Sequence, residues 1–411
     1  MALVLGASAP AWAQDLKSEI AGLLVEHPQI RATKKTTEAT KHAIGEATAA
    51  FLPQVVVNAD TGIEDIKNAS VYCSCYADGW HGKRKVAGVT VTQNLFDGFG
   101  RAAAANTARI AHSSQGASQE TTQQGVIFEA VTAYINVLRQ SKLIELSLSK
   151  ESSIKEQLEL EDERVKRGSG ISTDVLEAKQ RLQLAKDLRV AEEGELRIAS
   201  ANYQQVFNHA PDIAALSMPS PPLNLLPESL EEAIKLAQQV HPTIEGSSLE
   251  VERTREQRTQ VRADYFPTVD LVGSMNYERD KNATSGTRRD YSVIVQATWN
   301  AFSGFSTQEG EMRAAYEYGA AQDFQTYNIR KVIEATRMAW QKLQTVRERI
   351  TLLENAVNIA AEIYDDKKNQ RDAGKETAVT VLDAETALYD QRMAYVRASY
   401  DAQLYIYELL W

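Results

Sequence analysis

Two stretches in the second half of the chain alternate between mostly apolar and polar positions. The alternating apolar positions are Val269, Leu271, Gly273, Met275 and Tyr277, and then Tyr291, Val293, Val295, Ala297 and Trp299. A period of two places successive side chains on opposite faces of a β-strand. The pattern therefore predicts a β-hairpin over about residues 268–299. Its strands of about nine residues have the length of tilted strands that cross a bilayer.

A less regular hairpin is predicted over about residues 54–96. Its apolar positions are Val55, Val57 and Ala59 on the outgoing strand and Val89, Val91 and Leu95 on the returning strand.

A long proline-free segment follows each predicted hairpin, over about residues 97–167 and 302–373. At 1.5 Å per residue, a helix of about 70 residues is about 105 Å long. In the second segment, one apolar stripe recurs in steps of four and three residues: Ala339, Leu343, Val346, Ile350, Leu353, Val357, Ala360 and Tyr364. A second stripe is formed by Leu352, Ala356, Ile359 and Ile363. Two stripes predict two helical neighbours.

Several short motifs recur in the same order in both halves of the chain. The pairs are His27-Pro28 with His241-Pro242, Phe51-Leu52-Pro53 with Tyr265-Phe266-Pro267, Phe96-Asp97-Gly98-Phe99 with Phe302-Ser303-Gly304-Phe305, and Val175-Leu176-Glu177-Ala178 with Val381-Leu382-Asp383-Ala384. Repetition in order predicts a duplication. The first repeat covers residues 14–210, with its hairpin at about 54–96 and long helices at about 97–208. A proline-rich linker covers 211–227. The second repeat covers 228–411, with its hairpin at about 268–299 and long helices at about 302–411.

Four strands in one chain are too few to close a membrane barrel, because the smallest such barrels have about eight. An open sheet edge in lipid would leave backbone groups unpaired. Three chains would supply about 12 strands. We therefore expect a mainly α protein with a transmembrane β part that requires association of several chains, and the helices of the same assembly would form the wall of a long column.

The first residues and the net charge of the chain indicate its location and exclude some kinds of partner. Residues 1–13 are uncharged and end in Ala11-Trp12-Ala13, which predicts a signal peptide; a frayed apolar N-terminus is the alternative. No cysteine follows that site, so no lipid anchor is expected. The net charge of −10 is spread over interspersed acidic and basic residues, which argues against a nucleic-acid partner. No catalytic motif occurs, and we expect neither enzymatic activity nor a cofactor or metal.

Two groups of side chains admit two interpretations each. Cys73 and Cys75, in the long loop of the first hairpin near His81, either form a disulfide or remain free thiols; they are too few for a closed zinc site. The aromatic residues at the hairpin bases form either an interfacial girdle or packing at the strand-to-helix junction. They are Phe51, Phe96, Phe99, Tyr265, Phe266, Trp299, Phe302 and Phe305.

The repeated order of motifs resembles the TolC family of outer-membrane efflux and secretion channels. The resemblance is carried by Leu95-Phe96-Asp97-Gly98-Phe99-Gly100, which leaves the first hairpin, and by Val379-Thr380-Val381-Leu382-Asp383-Ala384, after the second long helix. It implies a homotrimer in the bacterial outer membrane that extends into the periplasm, with a 12-stranded β-barrel continuous with an α-helical barrel. It also implies contact with outer-membrane lipid and docking to a periplasmic adaptor and an inner-membrane ABC or RND transporter.

The resemblance also implies a periplasmic aperture lined by acidic side chains. Asp383 occupies one such position, whereas the position three residues earlier holds Thr380 instead of an acid. Asp174 and Glu177 lie just past the matching turn of the first repeat, where they either line the aperture or complement a helix dipole. The basic residue that the family has near this turn is replaced by Glu376.

The sequence thus favours the exit duct of a tripartite export machinery, with type I protein secretion as the expected use. Multidrug efflux, with small-molecule cargo, is the alternative. A periplasmic adaptor or coiled-coil scaffold without a pore is the alternative of a different class.

Overall fold

The computed structural model describes residues 15–67, 80–168 and 171–411. The predicted signal peptide, Cys73, Cys75 and the Ser169-Gly170 part of the first glycine turn lie outside the described residues.

Over the described residues, the chain is mainly helical, with four β-strands. In the first half, the elements are α1 (Leu16–Glu26), α2 (Pro28–Ala49), β1 (Gln54–Ile66), β2 (Trp80–Phe96), α3 (Gly100–Lys166) and α4 (Ser172–Phe207). In the second half, they are α5 (Leu230–Val240), α6 (Pro242–Arg262), β3 (Thr268–Lys281), β4 (Thr284–Thr298), α7 (Ser306–Asp372) and α8 (Ala378–Leu410). The expected class, long helices combined with antiparallel strands, is confirmed. None of the helices in the described ranges carries an apolar segment that could cross a bilayer.

The two His-Pro pairs mark the same helix break in both halves of the chain. His27 ends α1 and His241 ends α5, each with an extended backbone and with its N–H donating to a carbonyl of the preceding helix. Pro28 and Pro242 then begin α2 and α6. Proline disfavours helical backbone in the residue before it but fits the first position of a new helix, where no N–H partner is needed.

The strands form one antiparallel sheet in the order β1-β2-β3-β4. The hairpin β1-β2 pairs with the hairpin β3-β4 through β2 and β3, with Val91 opposite Gly273 and Val89 opposite Met275. A register shift between Asn94 and Phe96 inserts one residue into β2, so that Phe96 lies opposite Val269. Within this sheet, β1 and β4 are the outer strands.

The chain divides into two compact units. The helical unit comprises residues 1–34, 119–241 and 329–411, and the sheet unit comprises residues 35–118 and 242–328. In the helical unit, the first predicted stripe of α7 packs through Leu343 and Val346 against Ala398 and Ala402 of α8. The second stripe stays exposed at Leu352 and Ile359. A single chain therefore covers only one of the two stripes.

The same turn leads from the sheet into α3 and α7. Gly98 and Phe99 both have positive φ, of 67° and 71°, and Gly304 and Phe305 match them at 64° and 68°. The preceding polar residue caps the helix in each case. An Asp97 carboxylate oxygen accepts the N–H of Arg101 at 2.8 Å, and the Ser303 hydroxyl accepts the N–H of Thr307 at 3.4 Å. The repeated motif thus keeps its backbone conformation while the capping group changes.

Candidate functional site

Thr380 belongs to the cap that begins α8. The side chain of Thr377 accepts the N–H of Thr380 at 3.4 Å. The Thr380 hydroxyl lies 2.9 Å from a carboxylate oxygen of Glu376, to which it donates. Hydroxyl groups at helix starts satisfy N–H groups that have no partner within the helix. Thr380 therefore has a local structural role at the position where the resemblance implies an acid.

Glu376 is bound to the end of the preceding helix. Its carboxylate accepts a hydrogen bond from Lys367 of α7 as well as from Thr380. These two donors, Lys367 first, lower the pKa of the Glu376 carboxyl below its usual value. The turn between α7 and α8 is thereby closed by a charge pair, which the sequence reasoning did not predict.

Asp383 lies one turn further along α8 and pairs with the first half of the chain. Its Oδ1 is 2.5 Å from Nη2 of Arg181 on α4. The two side chains remain 54% and 35% exposed. Asp383 is thus accessible to solvent, but a cation of the same chain already lies against it.

Asp174 and Glu177 lie in the first two turns of α4. Asp174 is half-buried and Glu177 is exposed, while Val175 and Ala178 between and beside them are buried. Within the described residues, neither carboxylate forms an ion pair. The structure therefore pairs Asp383 with Arg181 and leaves the two other predicted acids without an ion-pair partner among the described residues.

Asp383 is the first of several charged residues on α8 that contact the first repeat. Asp390 lies 2.9 Å from Lys150 of α3, and Arg397 lies 2.7 Å from Glu192 of α4. Asp383, Asp390 and Arg397 are seven residues apart, which returns a helix to almost the same face. This heptad spacing was present in the sequence and could have indicated that the three residues share a face, but not which charges they meet.

A buried ion pair joins α3 and α7 near the same turns. Arg371 donates to the carboxylate of Glu161, and the two side chains are only 8% and 3% exposed. A charge buried alone is costly, so Arg371 requires Glu161. Glu161 also lies 3.8 Å from the more exposed Arg164 of its own helix. Nothing in the local pattern around Glu161 indicated its burial.

Glu385, two residues after Asp383 on α8, is buried among three helices and 1% exposed. Burial raises the pKa of its carboxyl, against the smaller opposite effects of the Ser153 hydroxyl and of Lys368 and Lys150. Lys150 is also the partner of Asp390. The charge state of Glu385, a second acid of α8, is therefore coupled to the packing of α8 against α3 and α7.

The sheet has one apolar face and one polar face. Register places one set of residues on the same side: Val55, Val57, Val89, Val91, Leu271, Met275, Tyr291, Val293 and Val295. These side chains are exposed in the single chain. On the opposite side, Arg84 lies 2.8 Å from Asp60 and 2.9 Å from Glu64, and the hydroxyls of Ser274 and Ser292 are 2.7 Å apart. A sheet of this kind separates an apolar phase from a polar one.

Aromatic side chains cluster where the strands meet the helices. The rings of Phe96 and Phe99 pack edge to face at 5.7 Å, as do those of Phe302 and Phe305 at 5.4 Å. The indole N–H of Trp299 donates to the carbonyl of Tyr265 at 3.2 Å. These aromatics pack on one another and are also largely exposed, so both interpretations of the cluster remain compatible with its geometry.

Comparison with known proteins decides the family. Residues 20–209 and 233–406 match the outer membrane efflux protein family. The chain belongs to this family. Outer membrane efflux proteins are channels and not enzymes, so the predicted family, location and lack of enzymatic activity are confirmed.

Alignments with individual outer membrane efflux proteins cover most of the chain. TolC of Escherichia coli is 24% identical over 96% of this chain and 81% of its own length. The outer membrane efflux protein BepC of Brucella suis is 25% identical over 79% of this chain and 70% of its own length. The alkaline protease secretion protein AprF of Pseudomonas aeruginosa is 24% identical over 92% of this chain and 80% of its own length.

Solved structures share the fold. A membrane protein from Pseudomonas aeruginosa superimposes with a TM-score of 0.86 at 16% identity, covering 96% of this chain and 89% of the other. The outer membrane protein VceC from Vibrio cholerae superimposes with a TM-score of 0.83 at 16% identity, covering 96% and 95%. Outer membrane efflux proteins work in tripartite systems with adaptor proteins and inner-membrane transporters.

Proposed function

We propose that this chain is one protomer of a homotrimeric exit duct in the outer membrane, and that the duct serves type I protein secretion. The observation that carries the proposal is the two-faced sheet with its two outer strands, β1 and β4. One face is suited to lipid and the other to water, and three such sheets would close about 12 strands into a barrel.

The exposed second stripe of α7 supports the association of several chains. Leu352 and Ile359 need a helical neighbour that one protomer does not supply. In a trimer, that neighbour would come from the next chain, and the helices would form the wall of the periplasmic part of the duct.

Type I secretion is proposed over drug efflux because the Phe96-Asp97-Gly98-Phe99 motif resembles that branch of the family. The secretion protein AprF and the efflux protein BepC both align with this chain, at 24% and 25% identity. The partners would then be an ABC transporter and its periplasmic adaptor, and the cargo would be an unfolded protein.

A pair of neighbouring substitutions on β4 tests the duct. Val293 and Ile294 are 76% and 50% exposed and lie on the apolar and the polar face of the sheet, respectively. A basic residue that faces lipid near the bilayer centre costs about 2–4 kcal/mol, whereas one in a lumen costs little. We expect Val293→Arg to reduce assembly into the outer membrane and Ile294→Arg to preserve it, as measured by trimer yield and by conductance in planar bilayers.

The same preparation tests the alternatives. Purified protein that stays in solution without detergent and opens no pores would contradict the duct and favour the scaffold. Crosslinking in cells followed by co-purification identifies the pump: an ABC transporter supports type I secretion, whereas an RND transporter contradicts it and supports multidrug efflux.

A further inference from the structure

Four exposed basic side chains lie together on the apolar face of the sheet, at the end remote from the helices. Lys85 of β2 is the direct cross-strand partner of Arg279 of β3. Lys83 precedes Lys85 by two residues, and Arg289 of β4 lies opposite Tyr277, two residues before Arg279. Because residues two apart on a strand share a face, all four belong to one cluster, called the basic rim below.

The basic rim sits at the end of the apolar band. On β3 that band extends from Val269 to Tyr277, which is about 27 Å along the strand at 3.4 Å per residue. At the tilt of about 35–45° that membrane strands adopt, this corresponds to about 19–22 Å along the membrane normal, which is comparable with the apolar band of about 25 Å that outer-membrane barrels carry. The guanidinium of Arg289 lies 6.0 Å from the ring centre of Tyr277, the last residue of the band. The basic rim therefore lies at the depth where lipid headgroups begin.

The charges of the basic rim are poorly compensated by the residues that the structure describes. Like charges that face each other directly across two strands are destabilising, and Lys85 faces Arg279. Arg279 has a contact of 3.5 Å with Asp280. Among the described residues, Lys83, Lys85 and Arg289 form no ion pair.

The acids nearest to the basic rim belong to pairs of their own. On the polar face, Asp60 and Glu64 hold Arg84, and Asp290 holds Arg288. On the face of the basic rim, Asp65 of β1 lies 3.9 Å from Lys67. The polar face therefore has paired charges, whereas the apolar face has an excess of positive charge. An anion from outside the chain would complete the basic rim.

We propose that the basic rim binds the phosphate groups of lipid headgroups in the membrane leaflet that lies away from the helices. Guanidinium groups donate to phosphate in bidentate fashion, and an ammonium group adds a second charged donor. A lipid fits this site better than an acidic protein does, because the basic rim continues an apolar band of membrane height that would accept the acyl chains. The proposal depends on the proposed function, in which the apolar face contacts lipid.

Lipid retention by the detergent-purified full chain tests the proposal. Native mass spectrometry would compare a bisphosphorylated lipid A with the same glycolipid after removal of its phosphates. Each basic residue near a charged membrane surface contributes about fivefold in binding. We expect Arg289→Gln to lower retention of the phosphorylated lipid about fivefold and Lys85→Gln with Arg279→Gln to lower it about 25-fold, with no change for the dephosphorylated form.

Arg288→Gln is the matched control, because it removes one positive charge from the adjacent position on the polar face. It should leave retention unchanged. Equal retention by wild type and the Lys85→Gln, Arg279→Gln variant would overturn the proposal. Displacement by millimolar inorganic phosphate without any dependence on the lipid would also overturn it, since it would indicate a site for free phosphate.

Conductance in planar bilayers separates this proposal from the proposed function. Protein that opens pores but does not discriminate between the two lipids refutes the basic rim alone. Protein that opens no pores refutes the duct. A variant that loses lipid and still conducts like the wild type shows that it has folded and supports the proposal.

Discussion

Asp383 of α8 and Arg181 of α4 form an ion pair across the two repeats, with 2.5 Å between Oδ1 and Nη2. Both side chains are partly exposed, so the pair contributes little to stability, at most about 1 kcal/mol. Its consequence is electrostatic. If Asp383 faces the aperture, the negative charge that it contributes there is offset by a positive charge of the same chain.

Opposite changes in ion selectivity are therefore expected for the two members of this pair. Asp383→Asn removes an anion and should lower the preference for cations, whereas Arg181→Gln uncovers the same anion and should raise it. Asp174→Asn should also lower it, because Asp174 has no ion-pair partner among the described residues. Reversal potentials across planar bilayers with a salt gradient measure the effect. Unchanged selectivity in all three variants would remove these residues from the pore lining.

Substitution of the buried pair of Glu161 and Arg371 should change the stability of the protein, and not its ion selectivity. Glu161 also lies 3.8 Å from Arg164, so removal of Arg371 leaves it a second cation. Removal of Glu161 leaves the buried charge of Arg371 without its partner, at a cost of about 3–5 kcal/mol, whereas replacement of both by apolar groups of similar volume is often neutral. We expect Glu161→Leu to accelerate hydrogen exchange at the ends of α3 and α7 and to lower the thermal midpoint. Addition of Arg371→Met should restore both.

A control for the buried pair is the exposed pair of Lys155 and Glu159, which are 4.0 Å apart. Lys155→Gln should change neither measurement. If the double variant at positions 161 and 371 is as unstable as the single one, the pair contributes more than charge compensation, and its geometry must be required for packing.

The strands and their faces could be predicted from the sequence because they depend on a local rule. Alternation from Val269 to Tyr277 and from Tyr291 to Trp299 marks β3 and β4, and both strands put the predicted residues on one face. The pairing of β2 with β3 could not be obtained in this way. It joins segments from different repeats, and its register depends on the inserted residue between Asn94 and Phe96.

The charge contacts of the helices were not predicted for a related reason. Arg181 and Asp383 are both unremarkable charged residues in sequence, and their contact depends on the axial position of α4 against α8. Long side chains can adjust to many partners, so the apolar stripes predict which faces pack but not which charges meet. The burial of Glu385 was missed because acids are rarely buried.

Glu385 should make the stability of the helical unit depend on pH. Burial raises the pKa of its carboxyl in the folded state above the unfolded value of about 4.3. The folded state then binds more protons, so stability is greatest below the unfolded pKa and falls as pH rises toward the folded pKa. The groups around it are Ser153, Lys150 and Glu156 on α3, Tyr364 and Lys368 on α7, and Tyr389 on α8.

Glu385→Gln should abolish this dependence. The variant should match the wild type at acidic pH and exceed its stability at pH 8, as measured by urea denaturation followed by circular dichroism. Glu159→Gln, at an exposed position of α3, is the control and should leave the pH profile unchanged. A variant that is less stable than the wild type at pH 8 would show instead that Lys150 and Lys368 hold the carboxylate ionised.

The two equivalent glycines of the sheet-to-helix turns should differ in their tolerance of a side chain. Both have positive φ, at 67° for Gly98 and 64° for Gly304, so alanine costs about 1–2 kcal/mol at either position. At Gly98, an added Cβ would also lie 2.6 Å from the carbonyl oxygen of Ala263 and 2.9 Å from Cβ of Phe266. At Gly304, it would meet nothing within 4 Å.

Gly98→Ala should therefore destabilise the sheet unit by clearly more than Gly304→Ala, which serves as its matched control. A backbone carbonyl cannot rotate away as a flexible side chain does, so the turn after β2 must shift relative to Ala263. Hydrogen exchange of β2 and β3 amides in the two purified variants measures the difference. Equal protection in both would mean that the backbone at Ala263 yields at little cost, and that the two copies of the turn are interchangeable in energy as well as in conformation.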